Sequence, residues 1–253
     1  MPRMSPWRMV VEALNAESID RVFGLPGNPI HLVDDLHRHS DIRNILARHE
    51  HSGVSLAYAY ARITGRPAVC YGNPGPGITN MATALLEANS ASLPVIALTN
   101  GVPMNTDGMG AFQEERQVQL ALPFCKYAHA VEHVHRVPYY VEQAVRHSIY
   151  GRPGASYLDM PDDIIQGEID EEEVQMAATI AEPPRMQALT EDVEAALDVM
   201  ESAERPLVIV GKGMAWSRAE EDVRAFIERT QLPFLASPMG KGVMDDNHPL
   251  SVG

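Results

Sequence analysis

Apolar and polar positions alternate along the chain in two periods, one typical of short buried strands and the other of amphipathic helices. The helical spacing of MVVEALNAES leads into the apolar run RVFGLPG, which ends in a Gly/Pro turn. The unit then repeats, since IHLVDDLHRH has helical spacing and RNILARH reads as a strand. Strands separated by helices favour a parallel sheet that is covered on both faces, so the pattern predicts an α/β fold.

The alternation continues to residue 165. Its later helices and strands are GVSLAYAYARITG, PAVCYG, GITNMATALLEANSAS, PVIALTNG, PYYVEQAVRHSIYG and ASYLDMP, in this order. Together these segments predict a doubly wound parallel sheet, with functional loops at the carboxyl ends of its strands.

The composition changes at residues 166–186, which combine an acidic run with paired prolines and have no clean period. This stretch predicts a linker between a first domain, residues 1–165, and a second domain, residues 187–253. The second domain has only two predicted strands and two predicted helices. Because so small a sheet leaves an edge and one face uncovered, we expect an incomplete α/β domain. We expect its remainder to be cut off or to come from another polypeptide.

Charge, hydropathy and cysteine content limit the partners and the cellular compartment that we expect for this chain. The formal net charge is -14, and no basic stripe is present, so we expect no nucleic-acid partner. No apolar run approaches the ~20 residues that span a bilayer, and the N-terminus lacks an uninterrupted apolar signal, so we expect neither membrane insertion nor export. Cys70 and Cys125 lie inside apolar runs and predict reduced thiols, which indicates the cytoplasm.

The segment RHEHSG places Glu50 between His49 and His51, at the end of a predicted strand. Three interpretations compete: a metal site that uses the histidines, a solvated charge at a helix start, and a buried acid that works on a cofactor. The metal interpretation is weaker because HEH lacks the spacing of the zinc-protease helix. Judged alone, a solvated glutamate at a helix start is favoured. For His129 and His133, ordinary surface or interdomain positions are favoured over a ligand role.

The glycine-rich loop YGNPGPGITN joins a strand to a helix start, a position typical of phosphate binding. Its glycines do not follow the dinucleotide spacing, and Pro74 and Pro76 remove N–H donors that a phosphate needs. The residues alone therefore predict a tight turn rather than a phosphate site.

Five motifs occur together in one order: VFGLPGNP, RHEHSG, GNPGPGITN, MGAFQE and SIYGRPGASYLDMPDD. They resemble the N-terminal pyrimidine-binding domain of thiamine diphosphate (ThDP) enzymes, in the family of acetolactate synthase, oxalyl-CoA decarboxylase and 2-hydroxyacyl-CoA lyase. RPLVIVGKG and MGKGVMDDNHP are similar to the first half of that family's central domain, so the resemblance covers nearly the whole chain. MGAFQE followed by SIYGRPGA is most similar to the 2-hydroxyacyl-CoA lyases, although AFQE also occurs in the acetolactate synthase branch.

The resemblance gives Glu50 a catalytic role, because it matches the family's glutamate. That carboxylate hydrogen-bonds a ring nitrogen of the cofactor's aminopyrimidine and drives the tautomerisation that lets the cofactor remove its own thiazolium C2 proton. An apolar pocket suits this task, since there a carboxyl group can share a proton with a weakly basic nitrogen.

The resemblance also implies loop contacts. The further cofactor-binding residues that it implies are Pro26, Gly27, Asn28, Pro74, Gly75 and Asn80, with Asn80 capping the following helix. Phe112 would form a pocket wall, and Gln113 would be a catalytic hydrogen-bond donor to an oxygen of the substrate or intermediate. The alternative for these loops is that they only form turns and contact neither cofactor nor substrate. Asn73 stands where family members usually carry Ser or Thr, which leaves its contact open.

The family binds the diphosphate through Mg²⁺ in a C-terminal domain, which carries a Gly-Asp-Gly motif followed by asparagines. This chain has only TDG at 106–108, so we expect no metal ligands in it. The resemblance therefore implies a partner chain or fragment with the diphosphate-binding domain, and an active site between the subunits of a dimer or tetramer. A nucleotide, either ADP or that of CoA, is a further expectation for the central domain.

The implied function is that of the N-terminal part of a ThDP-dependent lyase. It would cleave or form the C1–C2 bond of a 2-hydroxyacyl-CoA, with formyl-CoA and an aldehyde or ketone as the other partners. Acetolactate-synthase-like carboligation of 2-oxoacids and oxalyl-CoA decarboxylation are the alternatives among enzymes. A non-catalytic regulatory or binding paralogue is the alternative of another class, against which Glu50 argues and for which the missing metal motif argues.

Overall fold

A computed structural model of the protein describes residues 3–176, residue 179 and residues 186–253. The chain divides into two compact units, Met1–Pro183 and Pro184–Gly253, and each has its own hydrophobic core. Strands and helices alternate in both, which confirms the predicted α/β class. Among the described residues, none of the helices combines the length and the apolar character needed to cross a membrane.

The strands of the first unit, numbered along the chain, are β1 (Arg3–Met4), β2 (Arg21–Gly24), β3 (Arg43–Leu46), β4 (Ala68–Gly72), β5 (Val95–Gly101), β6 (Tyr127–Ala130), β7 (Ser156–Pro161) and β8 (Ile169–Asp170). Its helices are α1 (Pro6–Ala16), α2 (Ile30–His39), α3 (Glu50–Thr64), α4 (Pro76–Ser90), α5 (Gln117–Ala121), α6 (Val137–Ile149) and α7 (Asp162–Ile165). The short elements β1, β8, α5 and α7 were not predicted.

Six strands form one parallel sheet in the order β3-β2-β4-β5-β7-β6, which confirms the predicted sheet. The chain passes from β2 to β3 on one side and returns to β4 on the other side of β2. The loops that follow β2 and β4 therefore diverge at the carboxyl edge. Open α/β sheets bind ligands in the crevice at such a switch point, so the topology selects this edge for the site.

Helices cover the sheet on both faces. On one face, α1, α2 and α6 share a core with Val69 and Ile96. Because side chains alternate along a strand, Cys70 and Ala97 lie on the opposite face, where α3 and α4 pack together. Both faces of β4 and β5 are fully buried, which explains why these strands read as continuous apolar runs.

The predicted linker, residues 166–186, begins with residues that belong to the first unit. Strand β8 pairs antiparallel with β1, and Arg8 Nη1 lies 2.7 Å from Glu171 Oε1. Residues 177, 178 and 180–185 of the predicted linker lie outside the described residues.

The second unit contains α8 (Thr190–Ser202), β9 (Val208–Val210), α9 (Lys212–Ser217), α10 (Glu220–Thr230) and β10 (Phe234–Ala236). Strands β9 and β10 are parallel, and Val210, Ile227 and Phe234 belong to a small core. The pattern predicted both strands and the helices α8 and α10, but not α9. An apolar cavity of about 410 Å³ lies in this unit, and Asp222 is the one charged residue in its lining. None of the described residues that line this cavity is a cation, and the nucleotide expected in the central domain stays a prediction.

Candidate active site

Glu50 lies at the carboxyl edge of the sheet as the first residue of α3. The expectation that Glu50 ends a strand is wrong, because β3 ends at Leu46. His49 has extended backbone angles, and its Nδ1 accepts a hydrogen bond from the His51 N–H at 3.2 Å. His49 therefore caps the helix that begins with Glu50. Nowhere in residues 3–176 and 186–253 do three or more His, Cys, Asp or Glu side chains form a group that could hold a metal ion.

Two asparagine amides hold the Glu50 carboxylate. Asn80 Nδ2 donates to Glu50 Oε2 at 2.9 Å, and Asn73 Nδ2 donates to Oε1 at a longer 3.4 Å. Asn80 does not cap α4 as expected, because Gly75 holds the N-cap position and Asn80 lies within the helix. Glu50 is only 4% exposed, and two hydrogen bonds leave acceptor capacity on both of its oxygens. The site thus presents a buried carboxylate that can accept further hydrogen bonds.

Gly72 makes room for the Glu50 side chain, whereas Gly77 does not need to. A Cβ atom at Gly72 would lie 2.7 Å from Glu50 Cγ and 2.6 Å from Met81 Cε, which is closer than real Cβ atoms come. A Cβ atom at Gly77 would be in ordinary contact with Glu50 Oε1 at 3.6 Å. The absence of a side chain at residue 72 is therefore a steric requirement of the buried carboxylate.

The loop after β2 reaches this carboxylate through Asn73. Asn73 Oδ1 accepts a hydrogen bond from the Asn28 N–H at 2.8 Å, while its Nδ2 faces Glu50. A Cβ atom at Gly27 would overlap Asn73 Oδ1, so glycine permits this close approach. Pro26, Gly27 and Asn28 are exposed, and the structure thus brings these three predicted residues beside the Glu50 site.

The third predicted loop packs against the second. Gly75 has φ +57°, and a Cβ atom there would lie 2.5 Å from the Gln113 carbonyl oxygen. Gln113 itself has φ +64°, a left-handed conformation that is uncommon for a residue other than glycine. Pro74 is buried, whereas Phe112 is 89% exposed, and its predicted contact with substrate stays a prediction. The loops that carry Gly75 and Gln113 are thus in direct backbone contact.

The Glu114 carboxylate organises the loop that carries Phe112 and Gln113. It accepts hydrogen bonds from the backbone N–H groups of Gly108, Gly110 and Ala111, at 2.7 to 2.8 Å. These hydrogen bonds lower the pKa of Glu114 below its ordinary value, with the bond from Ala111 contributing most. Glu114 thus holds the backbone of this loop in its folded conformation.

A cavity of about 800 Å³ lies beside this loop, next to the ends of β6 and β7. Its lining includes Asp107, Glu115, Glu132 and Asp159, with His129 also present. Burial raises the pKa of Asp159 to about 7, although a hydrogen bond from Gln117 opposes the shift. The sequence does not mark this group, because the single aspartate in the strand segment ASYLDMP carries no local sign of its burial.

Two family models match the chain. The model described as Thiamine pyrophosphate enzyme, N-terminal TPP binding domain, matches residues 4–122, and the model for the Thiamine pyrophosphate enzyme, central domain, matches residues 193–253. Thiamine pyrophosphate is another name for ThDP. The first match includes Glu50 and the three loops around it.

Three curated proteins illustrate the range of similar sequences. The 2-hydroxyacyl-CoA lyase 1 of Mus musculus is 36% identical over 251 residues, which cover 99% of this chain and 43% of the mouse protein. The acetolactate synthase large subunit of Parasynechococcus marenigrum is 37% identical over 96% of this chain and 40% of its own length. The oxalyl-CoA decarboxylase of Escherichia coli is 35% identical over 96% of this chain and 44% of its own length.

The chain thus spans less than half the length of the curated relatives that it matches. The two family models agree with these relatives along the chain, and they cover the Glu50 site as well as most of the second unit. The chain therefore belongs to the thiamine pyrophosphate enzymes.

Proposed function

We propose that this chain is the N-terminal part of a ThDP-dependent lyase that cleaves or forms the C1–C2 bond of a 2-hydroxyacyl-CoA. The other partners of the reaction are formyl-CoA and an aldehyde or ketone. The observation that carries the proposal is the buried Glu50 carboxylate, which Asn73 and Asn80 hold at the carboxyl edge of the sheet. Similarity to 2-hydroxyacyl-CoA lyases of mouse and human supports the choice of reaction.

The residues around Glu50 fit the pyrimidine end of ThDP. The ring nitrogen of the aminopyrimidine needs a carboxylate that is buried but still able to accept a hydrogen bond, and Glu50 meets both requirements. When bound, ThDP supplies a nucleophilic carbon and an electron sink for breaking the bond next to a carbonyl group. Glu50 holds or shares a proton at its Oε atoms, and Asn80 fixes the direction of that carboxylate. Pro74 and Gly75 provide a water-poor wall beside it.

We place the diphosphate and Mg²⁺ outside the described residues, which contain no metal-ligating group of three or more His, Cys, Asp or Glu. They belong, in this proposal, to a diphosphate-binding part on the same longer polypeptide or on a partner chain. The proposal further places the complete site between subunits of a dimer or tetramer in the cytoplasm. The curated relatives are more than twice as long as this chain, which leaves ample length for such a part.

Phe112 and Gln113 are the residues that we assign to the substrate. Gln113 donates to an oxygen of the substrate, and Phe112 contacts the group carried by the aldehyde or ketone. Acetolactate-synthase-like carboligation of 2-oxoacids and oxalyl-CoA decarboxylation remain second candidates, because relatives with those names are 37% and 35% identical to the chain. The acyl group itself is chosen by parts of the protein beyond this site.

The test uses the full-length protein with ThDP and Mg²⁺. Formyl-CoA release from a 2-hydroxyacyl-CoA is compared with condensation of two 2-oxoacids and with decarboxylation of oxalyl-CoA. Glu50→Gln keeps the shape but cannot share an acidic proton, so exchange of the cofactor's C2 hydrogen and turnover should fall roughly 10²–10⁴-fold. Glu87→Gln, at an exposed position on α4, is the matched control. Faster turnover of 2-oxoacids or oxalyl-CoA would reassign the reaction, and unchanged exchange in Glu50→Gln would refute the role of Glu50.

A further inference from the structure

Gln117 is a buried polar residue that the proposed chemistry does not use. It begins α5, four residues after Gln113, and it is 3% exposed. Its side-chain oxygen accepts a hydrogen bond from the Gly75 N–H at 2.8 Å. Its side-chain nitrogen donates to the Asn100 carbonyl oxygen and to Asp159 Oδ1, both at 2.9 Å.

The partners of Gln117 leave only one orientation for its amide. The Gly75 N–H can only donate, and the Asn100 carbonyl can only accept, so the oxygen must face Gly75 and the nitrogen must face Asn100. Both N–H groups and the oxygen are then used. A buried amide with this set of partners ties together three segments that are far apart in sequence.

The three segments differ in how firmly they are held. Asn100 and Asp159 belong to β5 and β7, which pair along their length in the buried part of the sheet. Gly75 lies in the loop between β4 and α4, and its Cα faces the Gln113 carbonyl oxygen so closely that no side chain fits between them. Gln117 thus connects the fixed ends of two strands to Gly75, and Gly75 forms the surface on which the Gln113 backbone rests.

We propose that Gln117 is a positioning residue for the reaction: it fixes the Gly75 loop and, through it, the left-handed backbone of Gln113 at the substrate side of the site. This inference rests on the proposed function for its catalytic consequence, but the structural tie itself does not depend on it. Without the tie, the uncommon backbone conformation of Gln113 loses its support.

The charges around Gln117 make the tie sensitive to a carboxylate at this position. Asp159 faces Gln117, Asp107 and Asp162, and these two aspartates add to the burial that raises the pKa of Asp159. In Gln117→Glu, a protonated carboxyl group can accept from Gly75 and donate one hydrogen bond. An ionised one can donate none and would face Asp159 and a carbonyl oxygen.

The first experiment measures backbone amide hydrogen exchange in the full-length protein without cofactor, followed by mass spectrometry. In Gln117→Met, which has similar size and no amide, exchange at residues 73–77 should become at least roughly tenfold faster. Peptides from β5 and β7 should keep their rates. Gln119→Met, at an exposed position of the same helix, is the control and should change none of these peptides. Wild-type exchange at residues 73–77 in Gln117→Met would overturn the proposal.

The second experiment uses Gln117→Glu and remains informative if Gln117→Met does not fold. Compared with wild type at the same pH, protection of residues 73–77 should be nearly retained at pH 5 and lost by pH 8. If the ratio of the exchange rates in Gln117→Glu and wild type does not change with pH, the proposal is contradicted, because a residue that only fills space would not respond to its own charge.

The kinetic consequence is measured on the ThDP- and Mg²⁺-loaded enzyme. Loss of the tie should lower kcat/KM for the substrate by roughly ten- to a hundredfold in Gln117→Met, the scale for one misplaced donor. Exchange of the cofactor's C2 hydrogen, which reports on Glu50, should stay within a fewfold of wild type. A wild-type enzyme without turnover would refute the proposed function but not the positioning role. In Gln117→Met, altered C2 exchange with unchanged kcat/KM would refute the positioning role but not the proposed function.

Discussion

Asn80 Nδ2 lies 2.9 Å from Glu50 Oε2, so an amide from α4 holds a carboxylate at the first position of α3. The two residues are 30 positions apart in sequence. Their contact joins the beginnings of two neighbouring helices at the edge of the sheet where the predicted residues gather. The direction of the carboxylate therefore depends on α4 as well as on its own helix.

Removing the amide of Asn80 should weaken both stability and activity. In Asn80→Ala, a nearly buried carboxylate oxygen loses its shortest hydrogen bond, at a cost of about 1–3 kcal/mol in the free energy of unfolding. Turnover of the full-length enzyme should fall roughly tenfold, because Glu50 is no longer fixed. Chemical denaturation and steady-state kinetics measure the two effects. Thr83→Ala, exposed on the same helix, is the control, and an equal loss there would remove the special role of Asn80.

Adding a methyl group at Gly72 should displace Glu50. The new Cβ atom would lie 2.7 Å from Glu50 Cγ and 2.6 Å from Met81 Cε, so Gly72→Ala should cost about 1–3 kcal/mol of stability. ThDP binding, followed by calorimetry on the full-length protein, should weaken at the same time. Gly53→Ala is a matched control in α3, because its Cβ atom would make only ordinary contacts at 3.5 to 3.8 Å. Similar losses in the two variants would show that crowding of Glu50 is not the cause.

The raised pKa of Asp159 predicts a pH-dependent stability. The group titrates near pH 7 in the folded protein and near pH 4 in an unfolded chain, so between these values the folded state binds more protons. The free energy of unfolding should therefore fall as pH rises from about 4 to about 7 and should lose no more of this contribution above that range. Asp159→Asn keeps an acceptor for Gln117 but cannot ionise, so its advantage over wild type should grow across the same window.

Urea denaturation of the full-length protein at a series of pH values measures the difference in the free energy of unfolding between Asp159→Asn and wild type. Asp41→Asn, at an exposed position, controls for the removal of one negative charge. An Asp159→Asn curve parallel to wild type between pH 4 and 7 would show that Asp159 keeps its ordinary pKa.

Separate changes at Phe112 and Gln113 should have different kinetic effects. Gln113→Ala removes a donor and should lower turnover by roughly ten- to a hundredfold. Phe112 is exposed at 89% in this chain, so Phe112→Ala should leave stability unchanged and mainly alter which carbonyl partner is accepted. Competition between two aldehydes or ketones in the carboligation direction measures that preference. Unchanged kinetics in both variants would assign this loop to structure alone.

The sheet could be predicted because its strands are buried on both faces and its helices are amphipathic. The switch between the two periods marks β2, β4, β5 and β7 without any knowledge of tertiary contacts. Strand β1, with two residues, and the helices α5 and α9, with fewer than two turns each, carry too few positions for their period to be visible. Their existence depends on partners that lie elsewhere in the chain.

The place of Glu50 in the site could be predicted, but not that Asn73 and Asn80 hold its carboxylate. Glu50 stands inside a motif, whereas Asn73 and Asn80 acquire their roles from contacts across the sheet edge. Gln117 follows the polar run EER and looks like a surface residue. It is buried because β5 and β7 bring Asn100 and Asp159 to it, and no local pattern encodes that approach.

The pairing of β1 with β8 places the first strand of the first unit beside its last strand. Arg3 lies opposite Asp170, and Arg3 Nη2 also donates to the Glu168 carbonyl oxygen at 2.6 Å. A fold whose first and last strands pair can be inserted into a loop of another polypeptide, or circularly permuted, without rearranging its core. The first unit should therefore tolerate such rearrangements while the loops around Glu50 keep their positions.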